Sequence, residues 1–513
     1  MKQTDLSPKL RDQLIAEGVD LERMLRFLDD LEAGKYDHTT AIKPESVPDL
    51  SNPAIVDRQG PASRTLALDE ARRRFADIGL KLPPESAGSV STGPDGTQSV
   101  SFDEQALRRI GILLYPRTAY GVLNGGSASS YADVKKNRAL DPSLFEKNRA
   151  LFDTLAGECR GKPKGITPAF INPDGSPGFS FLYLKLRMLL EHKKMYRDET
   201  GSMPSLILPA FQMTSVHTDA AIMDAFREYV MDPGLHELSL SLGCPSIEIY
   251  TESQTMMAAI THSSEGKPRC IFDRAWGKPD TGLAMPGGHG QNFEILAPVY
   301  RKLRDQGIRY AWLGNIDNMG YTVDPVSLAL FALSGKEAAF EASYRTPFDV
   351  KGGILVTDST GRVTCADIGA AISGADVHAF EAAGKTILFN CGVGLFDLDR
   401  LVPRLGELPF QLPLRISDQD KDAGLYAQAE QITWEIIGLL DDPLFFAVPK
   451  TRRFIAAKML METLLTSLPP AGSETTPMKD VSLALNRGLV DLFAREYGLV
   501  RENGRWVLRS ENI

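Results

Sequence analysis

Four short segments bring together the residue types that a phosphorylated ligand would need. Leu123-Asn124-Gly125-Gly126-Ser127-Ala128-Ser129-Ser130 follows an apolar run. Glycines let backbone N–H groups approach a phosphate or a flat base closely, and serines add hydroxyl donors. A plain tight turn has the same composition, and the segment matches neither a Walker A loop nor a G-x-G-x-x-G fingerprint. Lys162-Pro163-Lys164-Gly165 sets an ammonium on a stiffened backbone, suited to a phosphate or to a solvated basic turn. Met285-Pro286-Gly287-Gly288-His289-Gly290 places a histidine among three glycines, either as a donor to a phosphate or as an ordinary structural histidine. Gly314-Asn315-Ile316-Asp317-Asn318 ends an apolar stretch in a carboxylate. That suits Mg2+, which takes one or two carboxylates plus phosphate oxygens, and equally an Asx turn or helix cap.

The elements that would hold these segments alternate in type. Residues 122–123 lead into the first glycine segment. Residues 205–209 are apolar and precede Thr214-Ser215 and a helix from about Asp219, and residues 310–313 precede the Gly314 turn. Strand, polar turn and helix in repetition predict an α/β fold with a mostly parallel, Rossmann-like sheet and ligands at the carboxyl ends of its strands. Residues 351–358 and 361–367 predict an antiparallel pair. Ahead of this unit, the spacing predicts a helix over 21–31, stretches broken at Pro44, Pro48 and Pro53, a helix over 66–80 and a hairpin or loop over 88–98. The expected division is a helical N-terminal segment over 1–104, an α/β domain over 105–400 and a mainly helical region over 401–513. The last includes a linker over 469–477 and a helix over 478–497.

Bulk properties exclude some classes. The chain has 513 residues, with 57 Lys and Arg against 66 Asp and Glu, a net charge of −9. Nonspecific nucleic-acid binding needs a basic field, so it is disfavoured, whereas a few lysines can still act within a pocket. There is no apolar run of about 18 residues to span a bilayer and no signal peptide is visible in the charged first residues. Cys159, Cys244, Cys270, Cys365 and Cys391 form no C-x-x-C pair. They read as reduced thiols of a cytoplasmic protein.

In this order along the chain, the segments resemble the UDP-glucose/UDP-N-acetylhexosamine pyrophosphorylase family. Leu123 to Gly126 is similar to the start of the family's L-N/A-G-G-x-G-T motif, and Pro163-Lys164-Gly165 to its later P-K-G. Met213-Thr214-Ser215 resembles M-T-S, Gln254 sits as in F-x-Q, and Pro286 to Gly290 resembles P-P-G-H-G. Gly314 to Gly320, followed by Val323-Asp324, resembles S-N-x-D-N-L-G. Lys351-Gly352-Gly353, Phe389-Asn390, and Arg453-Phe454 with Lys458 resemble K-G-G, F-N-T-N and R-F-x-P-V-K.

The resemblance covers roughly residues 105–465. It implies a nucleotidyltransferase fold of the GT-A-like kind, with helical N- and C-terminal additions. The implied reaction joins UTP and a hexose 1-phosphate, most directly glucose 1-phosphate, with Mg2+. The alternatives are an N-acetylhexosamine 1-phosphate enzyme and a noncatalytic nucleotide-sugar binding protein. Leu123, Gly125, Gly126, Met213, Gln254 and Gly288 would form the uracil pocket. Lys164 would hold the UTP phosphates, and Lys458 would reach them from the C-terminal side. His289, Asn315 and Asn390 would contact the sugar phosphate, Asp367 would face the sugar and Asp317 would ligate Mg2+.

The chain departs from that pattern in three places. Ser127-Ala128-Ser129 replaces the family's G-T, and residues 127–163 form a long insertion in which Lys135 and Lys136 are alternative phosphate lysines. Ala456 stands where the family has proline. No C-terminal β-helix domain is evident. The choice of sugar and the oligomeric state are left open.

Overall fold

The computed structural model of the chain describes residues 6–37, 44–128, 131–244, 247–346, 348–349, 352–369, 371–470 and 477–509. Ser129, Ser130 and Lys351, singled out above, lie outside them.

A mixed, mostly parallel sheet carries the functional segments. Its strands are β1 (Ile55–Asp57), β2 (Thr118–Leu123), β3 (Ala210–Ser215), β4 (Ile249–Gln254), β5 (Tyr310–Asn315), β6 (Ala338–Tyr344), β7 (Gly353–Thr357), β8 (Val363–Asp367), β9 (Leu388–Asp397) and β10 (Leu444–Val448). They run in the order β1-β10-β6-β9-β5-β2-β3-β4, with β7 beside β9 and β8 beside β7. Among the first eight, β9 alone runs antiparallel to its neighbours. The antiparallel β7–β8 pair expected from the sequence is present, Gly353 facing Asp367.

The alternation of side chains along each strand decides the core. Tyr310 and Trp312 of β5 join one apolar cluster with Tyr120 and Val122 of β2. Ala311 and Leu313 join a second cluster on the opposite face, with Ala119 and Leu123. A parallel sheet buried on both faces needs near-continuous apolar strands, and β2 and β5 are apolar along almost their whole length.

Helix α1 (Leu21–Glu32) is capped by Asp20 and buries Leu21, Met24, Leu25 and Leu28. Its apolar face packs with Met257, Ile260, Ala427 and Ala429. Helix α2 (Phe181–Thr200) starts at Ser180, whose hydroxyl accepts from the Tyr183 N–H, and stops at Gly201 in the left-handed region. Helix α3 (Pro325–Ser334) is capped by Asp324 and is buried almost throughout.

Three sequence expectations are corrected. Residues 205–209 are not a strand: Pro209 has no N–H to give a ladder, Leu208 has φ 44, and pairing begins only at Ala210. The helix expected over 66–80 begins at Leu68, because Arg64–Ala67 pairs with Gln98–Phe102. The region after residue 401 is not mainly helical. It contributes β10 and a long hairpin, Leu414–Lys421 with Gly424–Gln431, whose second strand alternates between half-exposed and buried positions. The first strand, with Arg415, Asp418, Asp420 and Lys421, is half-exposed to exposed throughout and shows no such period in the sequence. The helices expected over 21–31 and 478–497 and the hairpin near 88–98 are present.

Candidate active site

The four sequence segments converge at the carboxyl ends of β2, β3, β4 and β5. They line a cleft of about 450 Å³ whose walls include Leu123, Gly125, Gly126, Lys164, Met213, Gln254, Gly288, His289, Asn315 and Asp317. Ser127, Ser215, His217 and Thr218 line it too. Ser215, His217 and Thr218 belong to the Thr214-Ser215-Val216-His217-Thr218 run that closes β3 and continues past it.

The long insertion does not carry Lys164 away. The chain returns alongside the glycine loop, with the Lys164 N–H donating to the Gly126 carbonyl (3.0 Å) and the Ala128 N–H to the Lys162 carbonyl (3.0 Å). Gly165 packs against Asn124, where a Cβ would lie 2.0 Å from the Asn124 Oδ1. Only glycine permits that approach. The Lys164 Nζ donates to the Asp317 Oδ2 at 2.5 Å and lies 4.9 Å from the centre of the Tyr131 ring. Both charged side chains are largely sheltered, 13% and 18% exposed. Lys135 and Lys136, the alternative phosphate lysines, are exposed on the helix Val134–Leu140 and do not line the cleft.

The second glycine loop is held from behind. The Gln254 Nε2 donates to the Gly288 carbonyl (2.8 Å) and to the Gln291 Oε1 (2.7 Å). Two acceptors fix the orientation of that amide, leaving its Oε1 to accept from a ligand. Gly288 has φ +81, and a Cβ there would meet the Gln431 carbonyl oxygen at 2.3 Å.

The His289 Nδ1 lies 2.7 Å from the Thr433 Oγ1 and receives the Thr433 backbone N–H at 3.2 Å. An acceptor at Nδ1 puts the proton of a neutral ring on Nε2. Burial pushes this imidazole down to about 4, against the pull of Asp367. The folded value is depressed, so the unfolded chain binds more protons between about pH 4 and pH 6.5. Stability from this group is complete above pH 6.5 and is lost as pH falls toward 4. His289→Asn is therefore expected to lose less stability than the parent between pH 7 and pH 5, measured as urea midpoints. An equal loss would place the titrating group elsewhere.

The remaining expected residues sit beyond this lining. Asp367 accepts from Arg415 Nη1 at 2.7 Å, and Arg415 also pairs with the buried Glu435. The Asn390 Oδ1 accepts from the Gly392 N–H at 2.9 Å. Lys458 is exposed, with Nζ 5.3 Å from the centre of the Phe389 ring.

Lys185 escaped the sequence reading. It is 2% exposed and its Nζ donates to the carbonyls of Asn318 and Tyr321, both at 2.6 Å. Burial pushes its pKa well below that of an ordinary lysine. It clamps the loop that carries Asp317. The available signal was a lysine inside the apolar run Phe181-Leu182-Tyr183-Leu184-Lys185-Leu186.

Residues 181–471 match the family model described as UTP–glucose-1-phosphate uridylyltransferase, more than half of the chain. The chain belongs to that family. A UTP–glucose-1-phosphate uridylyltransferase of Musa acuminata is 28% identical over 339 residues, which span 63% of this chain and 64% of the relative. The match thus covers less than two thirds of that relative's length. Among solved structures, a uridine diphosphate N-acetylglucosamine pyrophosphorylase of Trypanosoma brucei superposes with a TM-score of 0.57 at 17% identity, over 95% of this chain and 80% of its own. A UDP-glucose phosphorylase from the same organism gives 0.53 at 17%, over 92% and 80%. At that identity the superpositions establish the fold. The sheet described above is thus the fold shared with these two solved structures. Among the described residues no helix is long and apolar enough to cross a membrane.

Proposed function

We propose that this chain transfers the uridylyl group of UTP to a hexose 1-phosphate, glucose 1-phosphate first, releasing pyrophosphate. The observation that carries the reading is the meeting of Lys164 and Asp317 in a cleft walled by two glycine loops. A sugar phosphate is already a competent nucleophile, so no general base is required. The chain has to align it with the α-phosphorus and offset charge. In the step itself a phosphate oxygen of the sugar phosphate bonds to the α-phosphorus in line, and the bond to pyrophosphate breaks.

The uracil ring would lie between Leu123 and Met213, with its N3–H donating to the Gln254 Oε1. A cytosine presents an acceptor at that position and would be refused. Lys164 would hold the phosphates. Neutral His289 would donate from Nε2 to the sugar phosphate, and Asn315, Asn390 and Asp367 would contact the sugar phosphate or sugar.

The donor set at Asp317 fits Mg2+, since a single carboxylate is what Mg2+ takes when phosphates complete its shell. Among the described residues no group of three or more His, Cys, Asp or Glu gathers elsewhere. Bound there, Mg2+ would neutralise phosphate charge. The unpaired cysteines support a reducing, cytoplasmic setting.

Pyrophosphate release from purified protein with UTP, Mg2+ and a panel of hexose 1-phosphates tests the reading. The panel includes N-acetylglucosamine 1-phosphate, for the second sugar class. Tight UTP binding without release from any sugar would replace the enzyme with a nucleotide-sugar binding protein. Within the enzyme reading, Lys458→Ala is expected to lower kcat about a hundredfold with the thermal midpoint unchanged. Near-normal turnover would remove Lys458 from the site.

A further inference from the structure

The N-terminal helix reaches the residues behind the nucleotide cleft through one side chain. Arg23 stands in the first turn of α1, its N–H donating at 3.0 Å to Asp20, the residue that caps the helix. It lies well ahead of residues 181–471, which match the family model. Its side chain is 14% exposed. One edge is fixed by Glu294, with Nε and Nη2 donating to the two carboxylate oxygens at 3.2 and 2.6 Å. The remaining nitrogen, Nη1, donates to the Thr255 Oγ1 and to the Gln291 Oε1, both at 3.3 Å. Thr255 follows Gln254 in the chain, and the Gln291 Oε1 also accepts from the Gln254 Nε2 at 2.7 Å.

A guanidinium has donors only. Gln291 must therefore turn its oxygen toward Arg23, and its Nε2 is left beside the Met257 sulfur, a weak acceptor. With that oxygen in place, a Gln254 amide turned over would set its own Oε1 against two oxygens, those of Gln291 and of the Gly288 carbonyl. Without Arg23, Gln291 is free to turn as well and to offer its Nε2 to that oxygen, which removes one of the two conflicts. A turned Gln254 presents a donor to the base. That suits a bare ring nitrogen at position 3, as in cytosine, and not the N3–H of uracil.

We propose that Arg23 is a positioning residue for the base: through Gln291 it holds the Gln254 Oε1 toward the cleft, so that the preference for uracil over cytosine depends on the N-terminal helix. The same stretch of chain braces the cleft at a second point. The Met256 N–H donates to the Gly18 carbonyl at 2.9 Å, and Met256 lines the cleft. Gly18 has φ +83 and packs so near Val216 that a Cβ would lie 2.5 Å from the Val216 Cγ2. The proposal rests on the uracil contact assigned to Gln254 above, and not on turnover.

The test titrates the full chain calorimetrically with UTP and with CTP, in Mg2+ and without sugar phosphate, in the parent, Arg23→Met, Arg23→Lys, Gln254→Ala and the double variant Arg23→Met/Gln254→Ala. Methionine keeps an unbranched apolar stem and removes every donor. It is expected to lower the UTP-to-CTP affinity ratio about tenfold, the worth of one hydrogen bond, mostly by weakening UTP. Lysine keeps the ion pair with Glu294 but lacks the fork that spans Glu294 and Gln291 together. Its ratio should fall too, which keeps the test decisive if Arg23→Met fails to fold. In the Gln254→Ala background, Arg23→Met should leave the ratio unmoved. Equal weakening of both nucleotides would make Arg23 a structural brace and overturn the proposal, as would a ratio that the folded Arg23 variants leave unchanged. A parent that binds UTP and CTP alike would overturn the Gln254 assignment itself, and the proposal with it.

Discussion

Lys164→Ala is expected to lower kcat for pyrophosphate release about 10²–10³-fold, the usual effect of removing one preorganised charge partner from a transition state. The lysine's backbone is held by its bond to the glycine loop, so the local fold does not hang on the ammonium, which meets Asp317 and the Tyr131 ring. The truncated chain should therefore fold and bind UTP weakly, with its thermal midpoint close to the parent's. Single-turnover kinetics separate the two effects. A change confined to KM would reduce Lys164 to a ground-state binding residue.

Asp317→Asn acts on the other half of the same pair. Without nucleotide, Asp317 and Lys164 neutralise each other at 2.5 Å, so ligand binding has to part them. Loss of the carboxylate should raise the Mg2+ concentration needed for half-maximal activity at least about tenfold. The same change frees Lys164, so UTP without metal should bind as well as, or better than, it does to the parent. An unchanged Mg2+ titration would move the metal ligand elsewhere. Because the two groups touch, the double variant should fall well short of the sum of the singles.

The sequence displayed the cleft best where function is local in the chain. Gly125-Gly126, Gly288-His289-Gly290 and Asn315-Ile316-Asp317 are single turns after single strands. Their geometry follows from a few neighbouring residues, and all of them but Gly290 line the cleft. Residues that act through distant partners were harder to see. The chain Asp367–Arg415–Glu435 joins a strand end, a hairpin and a buried turn, and of its members only Asp367 was indicated by the sequence, through the family resemblance. Lys185 reads as one charge in an apolar helix until the carbonyls of Asn318 and Tyr321 come to meet it. At the level of the fold, the apolar runs of β2 and β5 announced the parallel sheet. β3 was misplaced by a few residues because hydrophobicity at 205–209 does not report that Pro209 lacks a donor. The hairpin after residue 401 alternates only over Ala427–Gln431, and its first strand is half-exposed to exposed throughout and as charged as a surface helix.

Tyr131 carries an implication for inheritance. Its ring lies beside Lys164, its carbonyl accepts the Leu460 N–H at 3.0 Å, and its hydroxyl lies 2.7 Å from the Thr463 Oγ1. Nearby, the Asn137 Oδ1 accepts the Met461 N–H at 2.8 Å. The insertion thus fastens the stretch just after Lys458 to the neighbourhood of Lys164. Descendants of this chain cannot exchange the insertion and the 458–467 stretch independently: a chimera that takes one parent's insertion must take its C-terminal partner with it, or the two lysines lose their common frame.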